Sequence, residues 1–180
     1  MLGMKESPQA NAKRLLRVLV ADDNRDTTDS MTMLIRLWGH DVRPVFDAAA
    51  VLEQALAYRP DVLLLDIAMP GVDGFALARE LRRESLFREV ILIAVTGYAD
   101  DPHRLAGVQA GFDLYLVKPV NPEIVKEILT SHLNRAAKSP EVGALGAAEW
   151  AEPGLSLAPI AQRDEVRSLR LAQHVQGYWR

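Results

Sequence analysis

Three aspartates, a threonine and a lysine stand at or just past the ends of apolar runs in this sequence. Asp22 and Asp23 follow Val18-Leu19-Val20, Asp66 follows Val62-Leu63-Leu64-Leu65, Thr96 follows Val90 to Val95, and Lys118 with Pro119 follows Phe112 to Val117. If these runs are strands of an open parallel sheet, their carboxyl ends converge on one crevice, where such sheets bind ligands. That crevice would hold three carboxylates, a hydroxyl and an ammonium. Carboxylates so crowded raise one another's pKa values unless a cation relieves them. Magnesium suits the need, because it prefers oxygen ligands and is commonly held by one or two carboxylates together with a phosphate oxygen. A carboxylate is also a nucleophile toward phosphorus, giving an aspartyl phosphate. Metal, ammonium and hydroxyl would then balance charge on the equatorial phosphoryl oxygens.

The elements that must position these groups are legible in the patterning. The four runs, with a weaker one at Val42 to Phe46, are short and continuously apolar, as strands buried on both faces are. Between them lie amphipathic segments. Met31, Leu34, Ile35 and Trp38 recur at helical spacing, and Gly39 follows as a stop. Asp101-Pro102 and Asn121-Pro122-Glu123 each read as an N-cap followed by proline at the first helical position. Ile124, Val125, Ile128 and Leu129 supply the last apolar face. Strand and helix alternate five times, which predicts a doubly wound α/β domain with helices on both sides of a parallel sheet.

Residues 15–137 carry this pattern. Residues 1–14 lack periodicity and read as a leader, and Arg17 with Asp22-Asp23 breaks the apolar stretch before it resembles a signal peptide. Residues 138–161 are rich in Pro, Gly and Ala and read as a linker, and 162–180 as a tail with one helix over Gln162 to Gln176. One helix is too little to bury a core of its own. The formal net charge of -3, from 21 basic and 24 acidic residues, gives no basic excess for phosphate backbones. Arg163, Arg167 and Arg170 in the tail are offset by Asp164 and Glu165, so nucleic acid is not an expected partner. Cysteine is absent, which removes thiolate chemistry and suits a reducing compartment, with the cytoplasm as the default. No stretch approaches the ~18 apolar residues of a membrane span.

Asp22-Asp23, the stretch from Leu65 through Asp66-Ile67-Ala68-Met69-Pro70-Gly71-Val72-Asp73 to Gly74, Thr96-Gly97, Tyr115 and Lys118-Pro119 closely resemble the response-regulator receiver family over about residues 16 to 136. The resemblance implies a flavodoxin-like sheet in the order 2-1-3-4-5 with five helices. It implies phosphorylation of Asp66 by phosphohistidine of a sensor histidine kinase or phosphotransfer protein, with catalysis limited to the domain's own phosphorylation and dephosphorylation. Mg2+ would be held by Asp22, Asp23, Asp66 and the Ala68 carbonyl. Lys118 and Thr96 would meet the phosphoryl group, Thr96 and Tyr115 would form the switch, and the Lys118-Pro119 bond would be cis. Output would pass through the face of the fourth helix, fifth strand and fifth helix to a protein target, with a homodimer left open. Ala68, Gly97 and Tyr98 flank the phosphoryl site. Ala68 is smaller and Tyr98 larger than the commonest pattern has, which bears on phosphoryl lifetime.

Each residue has a blander reading by itself. Asp22-Asp23 would be a solvated turn, Thr96 a strand-end hydroxyl, Tyr115 a half-buried strand aromatic, and Gly71, Gly74 and Pro70 turn residues without chemistry. His40, His103, His132 and His174 show no ligand spacing and read as surface or cap residues. Trp150, Tyr178 and Trp179 could anchor a partner or lie in a disordered tail. An aspartyl-phosphate phosphatase would place a second Asp two residues after the nucleophile, where Ala68 stands. An adaptor that never takes phosphate would have lost the acidic pair, the acceptor or the lysine, and all are present.

Overall fold

The computed structural model of the protein describes residues 15–138. The leader, the linker from residue 139 onward and the tail, with Trp150, His174, Tyr178 and Trp179, lie outside them. Five parallel strands, β1 (Arg17–Ala21), β2 (Asp41–Val45), β3 (Val62–Asp66), β4 (Ile91–Thr96) and β5 (Leu114–Val117), form one sheet in the order β2-β1-β3-β4-β5. Helices α1 (Arg25–Leu37), α2 (Val51–Tyr58), α3 (Gly74–Arg83), α4 (Asp101–Ala110) and α5 (Pro122–Lys138) link and follow them. This is the doubly wound architecture predicted, and α5 runs one residue past the expected boundary at 137.

Burial explains the apolar runs. β3 and β4 are buried at every residue, as strands covered on both faces must be. The outer strands β2 and β5 alternate instead, because each has a neighbour on one side only. Leu19, Leu63, Leu65 and Leu92 enter one layer with Ala55 and Tyr58 of α2 and Leu77 and Leu81 of α3. Val18, Leu64, Ile93 and Leu116 enter the other with Ile35 of α1 and Val125, Ile128 and Leu129 of α5. Each such Leu, Ile or Val side chain contributes roughly 1.5–3 kcal/mol on burial.

Where the structure departs from the sequence reading in the α4 cap, the start of β5 and the inward face of α1, each difference has a local reason. α4 is capped by Asp100 rather than Asp101, since the Asp100 side chain accepts from the His103 backbone N–H, and Pro102 falls in the first turn. Phe112 belongs to the turn after α4, because Gly111 ends that helix at φ 94° and Phe112 drops into the core. On α1 the buried residues are Thr28, Thr32 and Ile35, so the inward face is turned toward two threonines, with Met31 and Trp38 at its half-buried edge. The α5 start is as expected, with Asn121 Oδ1 accepting from Glu123 N at 3.0 Å.

Candidate functional site

Strand register brings the predicted groups to one level. Ala21 pairs with Leu65, Asp66 with Val95, and Thr96 with Val117, so Asp22, Asp66, Thr96 and Lys118 emerge side by side at the carboxyl edge. The last turn of each strand is held from below. Asp22 N donates to Val45 O at 3.1 Å, Ile67 N to Val95 O at 3.2 Å, and Lys118 N to Thr96 O at 2.7 Å. Gly74 at the start of α3 allows a further approach: a Cβ there would lie 2.5 Å from the Ile67 backbone. Its absence lets α3 close against the loop that follows Asp66.

One ligand oxygen from each of Asp22, Asp23 and Asp66 can be chosen so that all lie within 4.8 Å of one another. Asp22 and Asp66 are buried and Asp23 is exposed. Lys118 Nζ bridges two of the three, 2.8 Å from Asp22 Oδ2 and 2.6 Å from Asp66 Oδ2. Burial opposes the Lys118 ammonium, but its bonds to Asp22 and Asp66 outweigh that and its pKa is raised. The remaining carboxylate oxygens are also directed: Ala68 N donates to Asp66 Oδ1 at 2.8 Å, and Asn24 N to Asp22 Oδ1 at 2.9 Å. Asp23 carries no hydrogen bond or ion pair within the described residues. Three carboxylates against one ammonium leave two negative charges, which matches the charge and oxygen preference of a divalent hard cation.

Thr96 is fully buried, and its Oγ1 accepts from Tyr98 N at 3.1 Å. Tyr115 sits on β5, one strand over, with its hydroxyl buried and without a hydrogen-bond partner. Burial pushes the Tyr115 phenol above its ordinary value, and the nearby Thr96 hydroxyl opposes the rise without closing a bond. Gly97 and Tyr98 are exposed beside Thr96, and Ala68 is exposed beside Asp66. The Lys118-Pro119 peptide is cis.

Two residues that shape the site gave little signal in the sequence. Thr28 lies in the first turn of α1, and its buried hydroxyl is within hydrogen-bond distance of Asp22 O at 3.0 Å and Asn24 O at 2.9 Å, fastening α1 to the acidic pair. Gly107 of α4 makes room for the Tyr115 ring, whose Cδ2 would lie 3.0 Å from an added Cβ. Both depend on which elements meet, and the sequence hints at Gly107 alone, as a glycine inside a helix. His103 is joined to this region through Asp100 and Tyr98.

The family model described as Response regulator receiver domain matches residues 18–130. This chain belongs to that family. As a receiver of two-component signal transduction it is part of a signalling family rather than a metabolic enzyme, and receivers work with histidine kinases. The chain is 39% identical over 142 residues to the transcriptional regulatory protein PrrA of Mycobacterium leprae, covering 77% of this chain and 60% of PrrA. It is 30% identical over 124 residues to the DNA-binding response regulator MtrA of Mycolicibacterium paratuberculosis, covering 69% of this chain and 54% of MtrA. The receiver thus spans little more than half the length of these relatives. The expectation that nucleic acid is no partner draws no support from them, since DNA binding is in the name of one. Among solved structures, the receiver domain of a sensor histidine kinase from Pseudomonas aeruginosa PAO1 superposes with a TM-score of 0.61 at 29% identity, covering 67% of this chain and 99% of that one. That structure holds magnesium in its active site cleft. No helix among the described residues is long and apolar enough to cross a membrane.

Proposed function

We propose that Asp66 is the phosphoacceptor of this receiver, taking a phosphoryl group from phosphohistidine on a sensor kinase or phosphotransfer protein in the cytoplasm. The observation that carries the reading is the cluster of Asp22, Asp23 and Asp66 with Lys118 Nζ bonded to two of them. An oxygen of the Asp66 carboxylate attacks phosphorus, the P–N bond breaks, and its electron pair stays on the donor imidazole. Asp22, Asp23, Asp66 and the Ala68 carbonyl would hold Mg2+, which when bound supplies positive charge to the phosphoryl oxygens. Lys118 holds a second positive charge at the same place, and moves from the carboxylates it now bridges toward the incoming oxygens.

Thr96 then gives the switch its first movement. Its hydroxyl turns toward a phosphoryl oxygen, and Tyr115, whose buried hydroxyl lacks a partner, turns into the vacated space. The face formed by α4, β5 and α5 changes shape for a protein target or a second copy of the chain. Dephosphorylation is attack of water on the same phosphorus, breaking the aspartyl O–P bond. Ala68, Gly97 and Tyr98 flank that approach and set its rate.

The test is labelling by a small-molecule phosphodonor. The protein should gain one phosphate with magnesium present and none with chelator, and Asp66→Asn should gain none. Equal labelling of Asp66→Asn and wild type would overturn the assignment.

A further inference from the structure

The loop between Thr96 and α4 is tied to the first turn of that helix by a set of contacts that the phosphoryl chemistry does not require. The Tyr98 ring lies flat on the His103 ring, with centroids 4.4 Å apart and planes inclined by 6°. Asp100 grips His103 twice through one oxygen: the His103 backbone N–H donates to Oδ1 at 3.0 Å, and Nδ1 lies 2.6 Å from the same atom. These contacts, the backbone bond first, hold the Asp100 carboxyl below its ordinary range. Arg104 Nε adds a strap to Ala99 O at 3.3 Å.

The other end of the same loop is the switch hydroxyl. Tyr98 N is the donor to Thr96 Oγ1, so a hydroxyl drawn toward a phosphoryl oxygen must carry the Tyr98 peptide with it or release it. Tyr98 cannot follow freely while its ring is stacked on α4. Gly97, the residue between them, has open space where a Cβ would be, so no packing at that position opposes movement. Resistance comes from the stack.

We propose that Tyr98, His103 and Asp100 form a latch that ties the Thr96 hydroxyl to the first turn of α4 and holds it in its resting place. His103 is then a positioning residue, acting through Tyr98, and the latch is a second line from the site to α4 beside the one through Tyr115. The proposal rests on Asp66 as the phosphoacceptor. It adds that the resting state is held by an aromatic stack whose removal favours the active one.

The experiment titrates the full chain with beryllofluoride and magnesium, following the amide resonances of Thr96 and α4, in wild type, His103→Ala, His103→Phe, Tyr98→Ala and the His103→Ala/Tyr98→Ala double variant. Aromatic pairs of this geometry correspond to roughly a two- to tenfold shift in an equilibrium. His103→Ala should therefore lower the half-saturating beryllofluoride concentration by about two- to tenfold, His103→Phe, which keeps the stack and the backbone bond to Asp100 but not the Nδ1 contact, should recover most of that loss, and His103→Ala should add nothing once Tyr98 is Ala. An unchanged midpoint in His103→Ala, a phenylalanine variant that behaves like alanine, or a full His103 effect in the Tyr98→Ala background would each overturn the latch. A second readout needs no phosphoryl analogue: Tyr98 amide exchange in the ligand-free protein should quicken by a similar factor in His103→Ala, and unchanged exchange overturns the latch. Failure of wild type to bind beryllofluoride, or equal binding by Asp66→Asn, would instead count against Asp66 as acceptor, leaving the exchange measurement to judge the latch.

Discussion

The two ends of the sheet both gather charged side chains, and they do so to different effect. At the carboxyl end, Asp22, Asp23 and Asp66 share a single ammonium from Lys118. At the amino end, Arg17 and Arg43 lie over the ring of buried Tyr58, 4.5 and 4.4 Å from its centroid, close to Asp41 and Asp61. Arg17 N also donates to Asp61 Oδ2 at 2.8 Å. The two cations there rest on one aromatic ring that Asp41 also approaches, Asp61 accepts a backbone N–H, and the formal charges of the four residues cancel. A charge cluster that balances itself is a structural seal. One left with surplus charge of one sign stores a preference for a ligand of the other, at a cost in the resting fold.

The sharpest way to break this comparison is to remove one carboxylate or guanidinium at each end. Asp66→Asn should lose phosphoryl labelling to background, whereas Arg17→Gln and Arg43→Gln should label as wild type does. Loss of labelling in either arginine variant would mean that the amino end is not merely a seal.

Magnesium should separate the ends energetically. At a hundred times its dissociation constant it should stabilise the protein by about 2.7 kcal/mol in urea unfolding. Asp23→Asn should lose most of that gain, because Asp23 is the carboxylate without a partner of its own. In chelator the same substitution should stabilise by roughly 0.5–1 kcal/mol, by relieving like-charge repulsion. Undiminished magnesium stabilisation in Asp23→Asn would contradict the metal assignment.

Alkaline pH probes the amino end. Burial, with Asp41 adding to it, pushes the Tyr58 phenol up to about 12 against the opposing Arg17 and Arg43 charges. An unfolded tyrosine loses its proton near 10, so between these values unfolding releases a proton and stability falls as pH rises. The Tyr58 contribution should be about 2 kcal/mol, seen as the difference in pH slope between wild type and Tyr58→Phe. Lys118, also raised, adds a fall in the same direction that both proteins share. Parallel slopes would remove Tyr58 as a buried titrating group.

The smallest effect should come from the exposed half of the seal. Arg43→Gln should cost about 0.5–1 kcal/mol in thermal or urea unfolding, the contribution of one exposed cation–π contact. A cost several times larger would show that Arg43 supports more than the Tyr58 ring.

The site was readable in the sequence because continuous apolar runs mark buried parallel strands, and the crevice of such a sheet lies where the strands end. Asp22, Asp23, Asp66, Thr96 and Lys118 could therefore be gathered from a pattern alone, and the family resemblance added Tyr115, Ala68 and the cis bond before Pro119. Periodicity is weaker where one polar atom decides the outcome. The α4 cap falls at Asp100 because that carboxylate reaches the His103 backbone N–H, a choice between adjacent aspartates that spacing does not make. Thr28 and Thr32 occupy the buried face of α1 because Asp22, just past β1, offers Thr28 a carbonyl acceptor and the packing turns the helix that way.

By itself, then, the sequence determined the order of the elements, the burial of the central strands and which chemical groups meet at the carboxyl edge, because these follow from side-chain polarity and chain direction. Only the tertiary structure decided that Lys118 bridges Asp22 and Asp66 while Asp23 stands free, that Gly107 lies over the Tyr115 ring, and that Tyr98 is stacked on α4. Those are relations between side chains on elements far apart in the chain, fixed by strand register and helix packing, to which local pattern is blind.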